Sequence, residues 1–192
     1  MTEEKQKEKN EFTIGFHGNY IPLQGVEYIV TAAKILEKEK DIRFRLVGGG
    51  KEFKKVFDLA RKLKVKNVEF IAKVPYEEIP LKISQADICL GAFGDTPKTQ
   101  FVISNKIFEE AAMRKPIISS DVPALRELFE DKKNILFCRH ADPDDLAEKI
   151  MELKNSPDLR EKIARGAYEL YQSQCTPKVI AKQLLADLEK QF

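Results

Sequence analysis

The sequence predicts a doubly wound α/β fold, a six-stranded parallel sheet covered on both faces and followed by a helical tail. Three observations lead there. Short apolar runs alternate regularly with amphipathic segments of about 10 to 15 residues, the pattern of right-handed βαβ units. The run from Asp87 to Phe93 does not alternate apolar with polar side chains, as expected of a strand buried on both sides. Loops bearing glycine or proline separate most of the elements, and no internal repeat is visible.

In chain order, Phe12 to Phe16 reads as the first strand. A loop from Gly18 to Gly25 containing Pro22 follows, then a helix from Val26 to about Lys40 with Ile29, Ala32, Ala33 and Leu36 on one side. Ile42 to Val47 is the second strand and Gly48-Gly49-Gly50 its turn. The next helix runs from Glu52 to Lys64 with Phe53, Val56, Phe57 and Ala60 inward, and Asn67 to Ile71 is the third strand. A short helix from about Glu77 to Gln85, restricted by Pro80, leads to the fourth strand, Asp87 to Phe93. After a helix from about Ile103 to Met113 come a strand at Pro116 to Ser119, a helix at Pro123 to Glu130 and a sixth strand at Asn134 to Cys138. Asp142 before Pro143 has the form of an N-cap with proline at the first helical position, opening a helix to about Lys154. The remaining residues are helical, punctuated at Pro157 and Pro177.

Residues 1–11 are almost wholly polar and are expected to form a flexible arm ahead of one domain spanning 12–192. They are the reverse of a signal peptide, and no apolar run approaches the roughly 18 residues needed to span a bilayer, so a cytoplasmic protein is expected. Lys and Arg number 33 against 31 Asp and Glu, which removes the electrostatic case for nucleic acid. The abundance of Lys and Glu points to surface ion-pair networks of the thermophilic kind. Cys89, Cys138 and Cys175 are widely spaced, and His17 and His140 show no ligand spacing with carboxylates, so neither a disulfide framework nor a metal site is expected.

The stretch Phe101 to Asp121 carries the most information. On its helix, Asn105 and Glu109 lie four apart and share a face, while Ile107 and Phe108 point toward a core. That geometry lifts an amide and a carboxylate over the carboxyl edge of the sheet, where open α/β folds bind ligands, and a carboxylate there suits a diol such as a ribose. Residues alone equally allow Glu109 as a solvated side chain or an i,i+3 partner of Lys106. Lys98 and Lys106 are the cations nearest a phosphate held at the head of this helix. The Gly18–Gly25 loop ends at a helix N-terminus suited to anions, but lacks both dinucleotide-type and P-loop spacing and is also readable as a plain turn. Gly48-Gly49-Gly50 is open to the same two readings, close approach of a ligand or a flexible turn.

Taken in order, these segments resemble the C-terminal, nucleotide-sugar-binding domain of GT-B retaining glycosyltransferases, the group 1 glycosyl transferases, over residues 12 to about 190. Ala32-Ala33-Lys34-Ile35-Leu36 stands where that family has Ala-Ala-x-x-Leu, and Val47-Gly48-Gly49-Gly50 where it has Val-Gly-x-Gly. Phe108 to Ser120 is similar to Leu-Glu-Ala-x-Ala-x-Gly-x-Pro-Val-Ile-Ala-Ser. Asn134-Ile135-Leu136-Phe137 and Asp142 to Ala147 look like its Asn-Gly-Leu-Leu and Asp-Pro-x-x-Leu-Ala segments.

The resemblance implies a Rossmann-like GT-B domain that binds a nucleotide-diphosphate-sugar donor such as a UDP- or GDP-hexose and needs no metal. It implies that Glu109, matching the second glutamate of the family's Glu-x7-Glu motif, grips the donor ribose. Backbone at Ile103 and Ser104 receives the diphosphate, with Asn105 and Lys106 beside it, and Ala72, Lys73 and Val74 border the base. Gly18 and Asn19 face the diphosphate and sugar, and Gly48 and Gly49 leave room for the donor. Catalytic residues are not assigned.

The sequence departs from the family at three places. Phe101 replaces the first glutamate, and Asn19 and Gln24 replace an Arg and a Lys. Ser104-Asn105-Lys106-Ile107-Phe108-Glu109 looks like a variant form of the helix in which Lys106 supplies a charge lost elsewhere. The resemblance further implies that the acceptor-binding N-terminal domain of a GT-B enzyme is missing from these 192 residues, so the isolated chain is expected to be inactive until joined to it. The alternative is an idle nucleotide or sugar-phosphate binding or interaction module of the same fold.

Overall fold

A computed structural model describes residues 11–190. Strands β1 (Phe12–Asn19), β2 (Ile42–Gly49), β3 (Val68–Ile71), β4 (Ile88–Leu90), β5 (Ile117–Ser120) and β6 (Leu136–Cys138) alternate with helices α1 (Val26–Ile35), α2 (Phe53–Leu63), α3 (Ile79–Ser84), α4 (Asn105–Ala112) and α5 (Pro123–Arg126). Helices α6 (Pro143–Asn155), α7 (Pro157–Leu170) and α8 (Pro177–Glu189) follow. The sheet has the order β3-β2-β1-β4-β5-β6 with every pairing parallel. This is the doubly wound, Rossmann-like arrangement expected from the alternation of elements. The chain moves outward from β1 to β3, returns to β4 and moves outward the other way, leaving its switch point between β1 and β4.

Alternate residues of each strand point to opposite faces, and the two faces carry separate cores. On one, Ile14, Phe16, Phe44 and Leu46 pack with Ile29 and Ala33 of α1, Val56 of α2 and Ile150 of α6. On the other, Ile117, Ile135 and Phe137 pack with Ile107 of α4, Leu125 of α5 and Ala167 of α7. Each large side chain buried in this way contributes about 1.5–3 kcal/mol. Asp142 caps α6 by accepting from the Asp145 amide at 2.9 Å, with Pro143 in the first turn, as its sequence position predicts. Ser156 and Thr176 cap α7 and α8 in the same way ahead of Pro157 and Pro177.

The differences from the sequence reading lie at element ends and in two side chains of α2. Strands β1 and β2 run on through Asn19 and Gly49 because they stay paired, Gly18 against Gly48 and Asn19 against Gly49. Helix α1 ends at Ile35 and tightens into a 3-10 turn, Leu36–Lys38, while α5 stops at Arg126. Helix α4 begins at Asn105, two residues later than expected, after a 3-10 turn at Pro97–Phe101. Phe53 and Phe57, expected inward, are more than a third exposed. They stack on each other at 5.9 Å and meet Phe70 edge-on at the margin of the sheet, where β3 is the edge strand. Residues 1–10 of the expected polar arm lie outside the described residues, and Glu11 pairs with Arg43 and Arg45 of β2.

Among the described residues no helix is long and apolar enough to cross a membrane. Cys89 and Cys138 are buried free thiols, each pushed up by burial.

Lys64 closes α2 in the left-handed conformation, φ 52°, where a Cβ is disfavoured and glycine is the usual occupant. Lys64→Gly is expected to raise stability by about 1 kcal/mol in chemical denaturation, since the exposed side chain contributes no packing that offsets the strain.

Candidate functional site at the switch point

The carboxyl ends of β1 and β4, the loop after β3 and the head of α4 meet on one side of the sheet. β1 is paired with β2 all the way to Asn19 and with β4 at Ile14 and Gly15, so its end is fixed in height and direction chiefly by β2. The loops that follow are locked to each other by backbone. A Cβ on Gly48 would lie 1.9 Å from the Gly18 carbonyl oxygen, and one on Gly94 would lie 1.8 Å from that of Pro22. The space at Gly48, whose φ is +145°, is therefore taken by the protein's own chain; Gly49 is the member of the triplet that faces open space, with only Lys73 nearby.

Glu109, in the middle of α4, is half-buried at this rim. Its Oε2 lies 2.8 Å from His17 Nε2 at the end of β1, and its Oε1 accepts from the Tyr76 hydroxyl at 3.3 Å. The hydrogen bond from His17 is the main cause that holds its carboxyl below the usual carboxylate range, with Tyr76 and the Lys106 charge adding to it. Glu109 in turn raises the Tyr76 phenol. A carboxylate has room for about four hydrogen bonds, so two acceptor positions stay available to a ligand.

Behind Glu109 the same helix turns two charged residues inward. Lys106 is buried, donates to the Gly91 carbonyl at 3.0 Å and stands 3.6 Å above the Phe16 ring. Burial pulls its ammonium down to about 7, against the opposing pull of Glu110 and Glu109. Its Nζ is also 3.6 Å from where a Cβ on Gly18 would stand, so its charge lies directly beneath the Gly18 turn. Glu110 is fully buried, neither of its oxygens has a hydrogen-bond partner among the described residues, and burial pushes its carboxyl well above the ordinary range. His17 Nδ1 is 3.6 Å from it.

Of the residues singled out from the sequence, Gly18, Lys106 and Glu109 come together around His17. Asn105 is exposed on the first turn of α4, and Asn19, Lys73 and Val74 sit on the rim with exposed or half-exposed side chains. Ser104 is the N-cap of α4, preceded by Ile103, so the helix head consists of the amides from Asn105 onward. The Ser104 hydroxyl accepts from the Gln24 side-chain amide at 3.3 Å, which ties the β1 loop to α4. Phe101 is 80% exposed.

His17, Tyr76 and Glu110 are members of this cluster that sequence reasoning missed. The available signal was a face of β1 reading Thr13, Gly15, His17, polar or small where the opposite face is apolar, together with a second acidic residue beside Glu109.

Two predictions follow from this packing. Gly48→Ala places a methyl group against a carbonyl that β-sheet pairing prevents from moving, and should lower stability by about 3 kcal/mol or more in thermal unfolding. Glu110 has a folded value raised above 4.5, so above that pH the folded state keeps a proton that the unfolded state has released, and stability falls as pH rises. Lys106, lowered to about 7, acts in the opposite sense only above that pH. Between pH 5 and 7, Glu110→Gln should therefore gain stability over the parent by up to about 1.4 kcal/mol per pH unit in urea titrations. A difference that does not change with pH would show that Glu110 is ionised when folded.

Comparison with known proteins agrees with this architecture. The family described as Glycosyl transferases group 1 matches residues 1–170. The chain is 27% identical over 154 residues to an uncharacterized glycosyltransferase of Methanocaldococcus jannaschii, covering 80% of this chain and 41% of that protein. It is 28% identical over 151 residues to the alpha-D-kanosaminyltransferase of Streptomyces kanamyceticus, covering 77% and 37%. The chain thus spans about two fifths of the length of these curated relatives. Anabaena HepE in complex with UDP superposes with a TM-score of 0.83 at 19% identity, over 94% of this chain and 49% of that one. The C-terminal domain of a group 1 glycosyl transferase from Francisella tularensis superposes with a TM-score of 0.73 at 22% identity, over 86% and 87%. At those identities the structural likeness speaks for the fold. With the family matched over residues 1–170 and the doubly wound sheet common to these structures, the chain belongs to the group 1 glycosyl transferases.

Proposed function

We propose that this chain is the donor-binding half of a retaining, metal-independent glycosyltransferase that takes a nucleotide-diphosphate-sugar, a UDP- or GDP-hexose, at the β1/β4 switch point in the cytoplasm. The observation that carries the reading is Glu109, a carboxylate held at the carboxyl rim by His17 and Tyr76 with acceptor positions still open. It would accept from the two ribose hydroxyls. The helix head at Asn105 and the cation of Lys106 beneath Gly18 would face the diphosphate, and Lys73, Val74 and Gly49 would border the base. A diphosphate there favours the charged form of Lys106, whose ammonium otherwise titrates near neutrality. The UDP carried by the Anabaena relative's fold is in keeping with a nucleoside diphosphate ligand.

The acceptor would be held by a second domain. In support, α8 presents Ile180, Leu184, Leu185 and Leu188 to solvent along one stripe, an apolar surface of the kind a partner domain covers. Two features favour a second reading, an idle nucleotide-binding module: Phe101 stands exposed where the family has its first glutamate, and the neutral Gln24 is spent on Ser104 where the family has a lysine.

Glu109→Ala removes two charge-assisted hydrogen bonds of about 1.5–3 kcal/mol each and should weaken UDP or GDP binding by at least about tenfold in calorimetry. Unchanged affinity refutes the assignment. Joining the chain to an acceptor-binding domain of the family separates the two readings, because a donor half gains donor turnover on reconstitution and an idle module does not.

A further inference from the structure

His17 is buried at the end of β1, and both of its ring nitrogens face carboxyl groups of α4. Nε2 lies 2.8 Å from Glu109 Oε2 and Nδ1 lies 3.6 Å from Glu110 Oε1. A neutral imidazole has one hydrogen, on one nitrogen, and a lone pair on the other. The two carboxyl groups are unequal. Glu109 reaches solvent and also accepts from Tyr76, so it is settled as a carboxylate. Glu110 is sealed in with no hydrogen-bond partner among the described residues, where an isolated negative charge is strongly disfavoured. The ring hydrogen then belongs on Nε2, donated to Glu109, with the Nδ1 lone pair turned toward a neutral acid.

We propose that His17 is a positioning residue of the donor site: its Nε2–H holds the Glu109 carboxylate at the rim, and the buried carboxyl of Glu110 behind Nδ1 keeps the ring hydrogen on Nε2. The role rests on the donor-binding reading above and explains how that carboxylate keeps one orientation before a ligand arrives. The arrangement is the reverse of the one in metal and acid–base sites, where a carboxylate or carbonyl behind the imidazole accepts its N–H and leaves the lone pair forward; here the carboxylate in front takes the N–H. The other charged or titratable groups around the ring are Lys106 on α4, Tyr76 beyond Glu109, and Arg45, Lys82 and Cys89, which line a small cavity between the sheet and α3 beside His17. Arg45 is engaged by Glu11 and Glu69.

The test uses the whole chain with UDP and GDP as probes. In a His140→Gln background His17 is the one remaining histidine of the two in the sequence, and its imidazole nitrogen shifts report where the hydrogen sits. Hydrogen on Nε2 is expected; hydrogen on Nδ1 alone overturns the proposal. His17→Val should weaken binding of the nucleotide the parent binds by about tenfold, the loss of one charge-assisted hydrogen bond. His17→Gln, whose amide reaches the Nε2 position, should recover to within about threefold of the parent. Equal binding by parent and His17→Val, or His17→Gln binding as weakly as His17→Val, overturns the positioning role alone. A parent that binds neither nucleotide overturns the donor-site reading itself. Should His17→Val fail to fold, the nitrogen shifts of the parent decide.

Discussion

The central place of β1 is the constraint on which the rest depends. Because β2 pairs with it from Phe12 to Asn19, β4 pairs with it at Ile14 and Gly15, and helices cover its two faces, its carboxyl end is the part left to meet anything else. The chain reverses its winding between β1 and β4, so the connections diverge there and open a crevice above the sheet. Helix α4, delivered by the loop after β4, lies beside that crevice. Its position converts a fold-level feature into a place with specific chemistry.

Helix α4 answers two incompatible demands with neighbouring residues. Ile107 and Ala111 seal it to the second core, while Lys106 and Glu110, one turn apart, are buried on the side toward β1. Lys106 is accommodated by a carbonyl and an aromatic face, partners that accept a cation without requiring a counter-carboxylate in contact. Glu110 has no such help and is pushed toward its neutral form. Glu109, next in sequence, is left at the rim and ionised, its carboxyl held down by His17. Adjacent glutamates thus carry opposite protonation tendencies because successive helix residues point about 100° apart, one into a dry environment and the other into a wet, hydrogen-bonded one.

Rigidity at the rim comes from backbone contacts more than from side chains. The close approaches of Gly48 to the Gly18 carbonyl and of Gly94 to that of Pro22 bind the β1, β2 and β4 loops into one unit, and Gln24 extends that unit to Ser104 at the head of α4. A site assembled this way has little loop entropy left to lose when a ligand arrives. By contrast, Tyr76 is largely exposed and reaches Glu109 from a short turn.

The sequence by itself determined the order and kind of the elements, since hydrophobic periodicity, glycine and proline punctuation and the Asp142 cap are local properties of the chain. It also pointed to Glu109, because helix periodicity ahead of a recognisable apolar strand is local too. It did not determine where those elements end, as the running-on of β1 and β2 through Gly18 and Gly48 exists only once the strands pair. Nor could it turn Phe53 and Phe57 toward the sheet margin, which depends on β3 being an edge strand. The pairing of His17 with Glu109 joins residues 92 positions apart, and the burial of Glu110 arises only when α4 docks on β1. Both are consequences of packing, and a charge that is ordinary on an isolated helix becomes a chemical group of altered character only where water has been excluded from it.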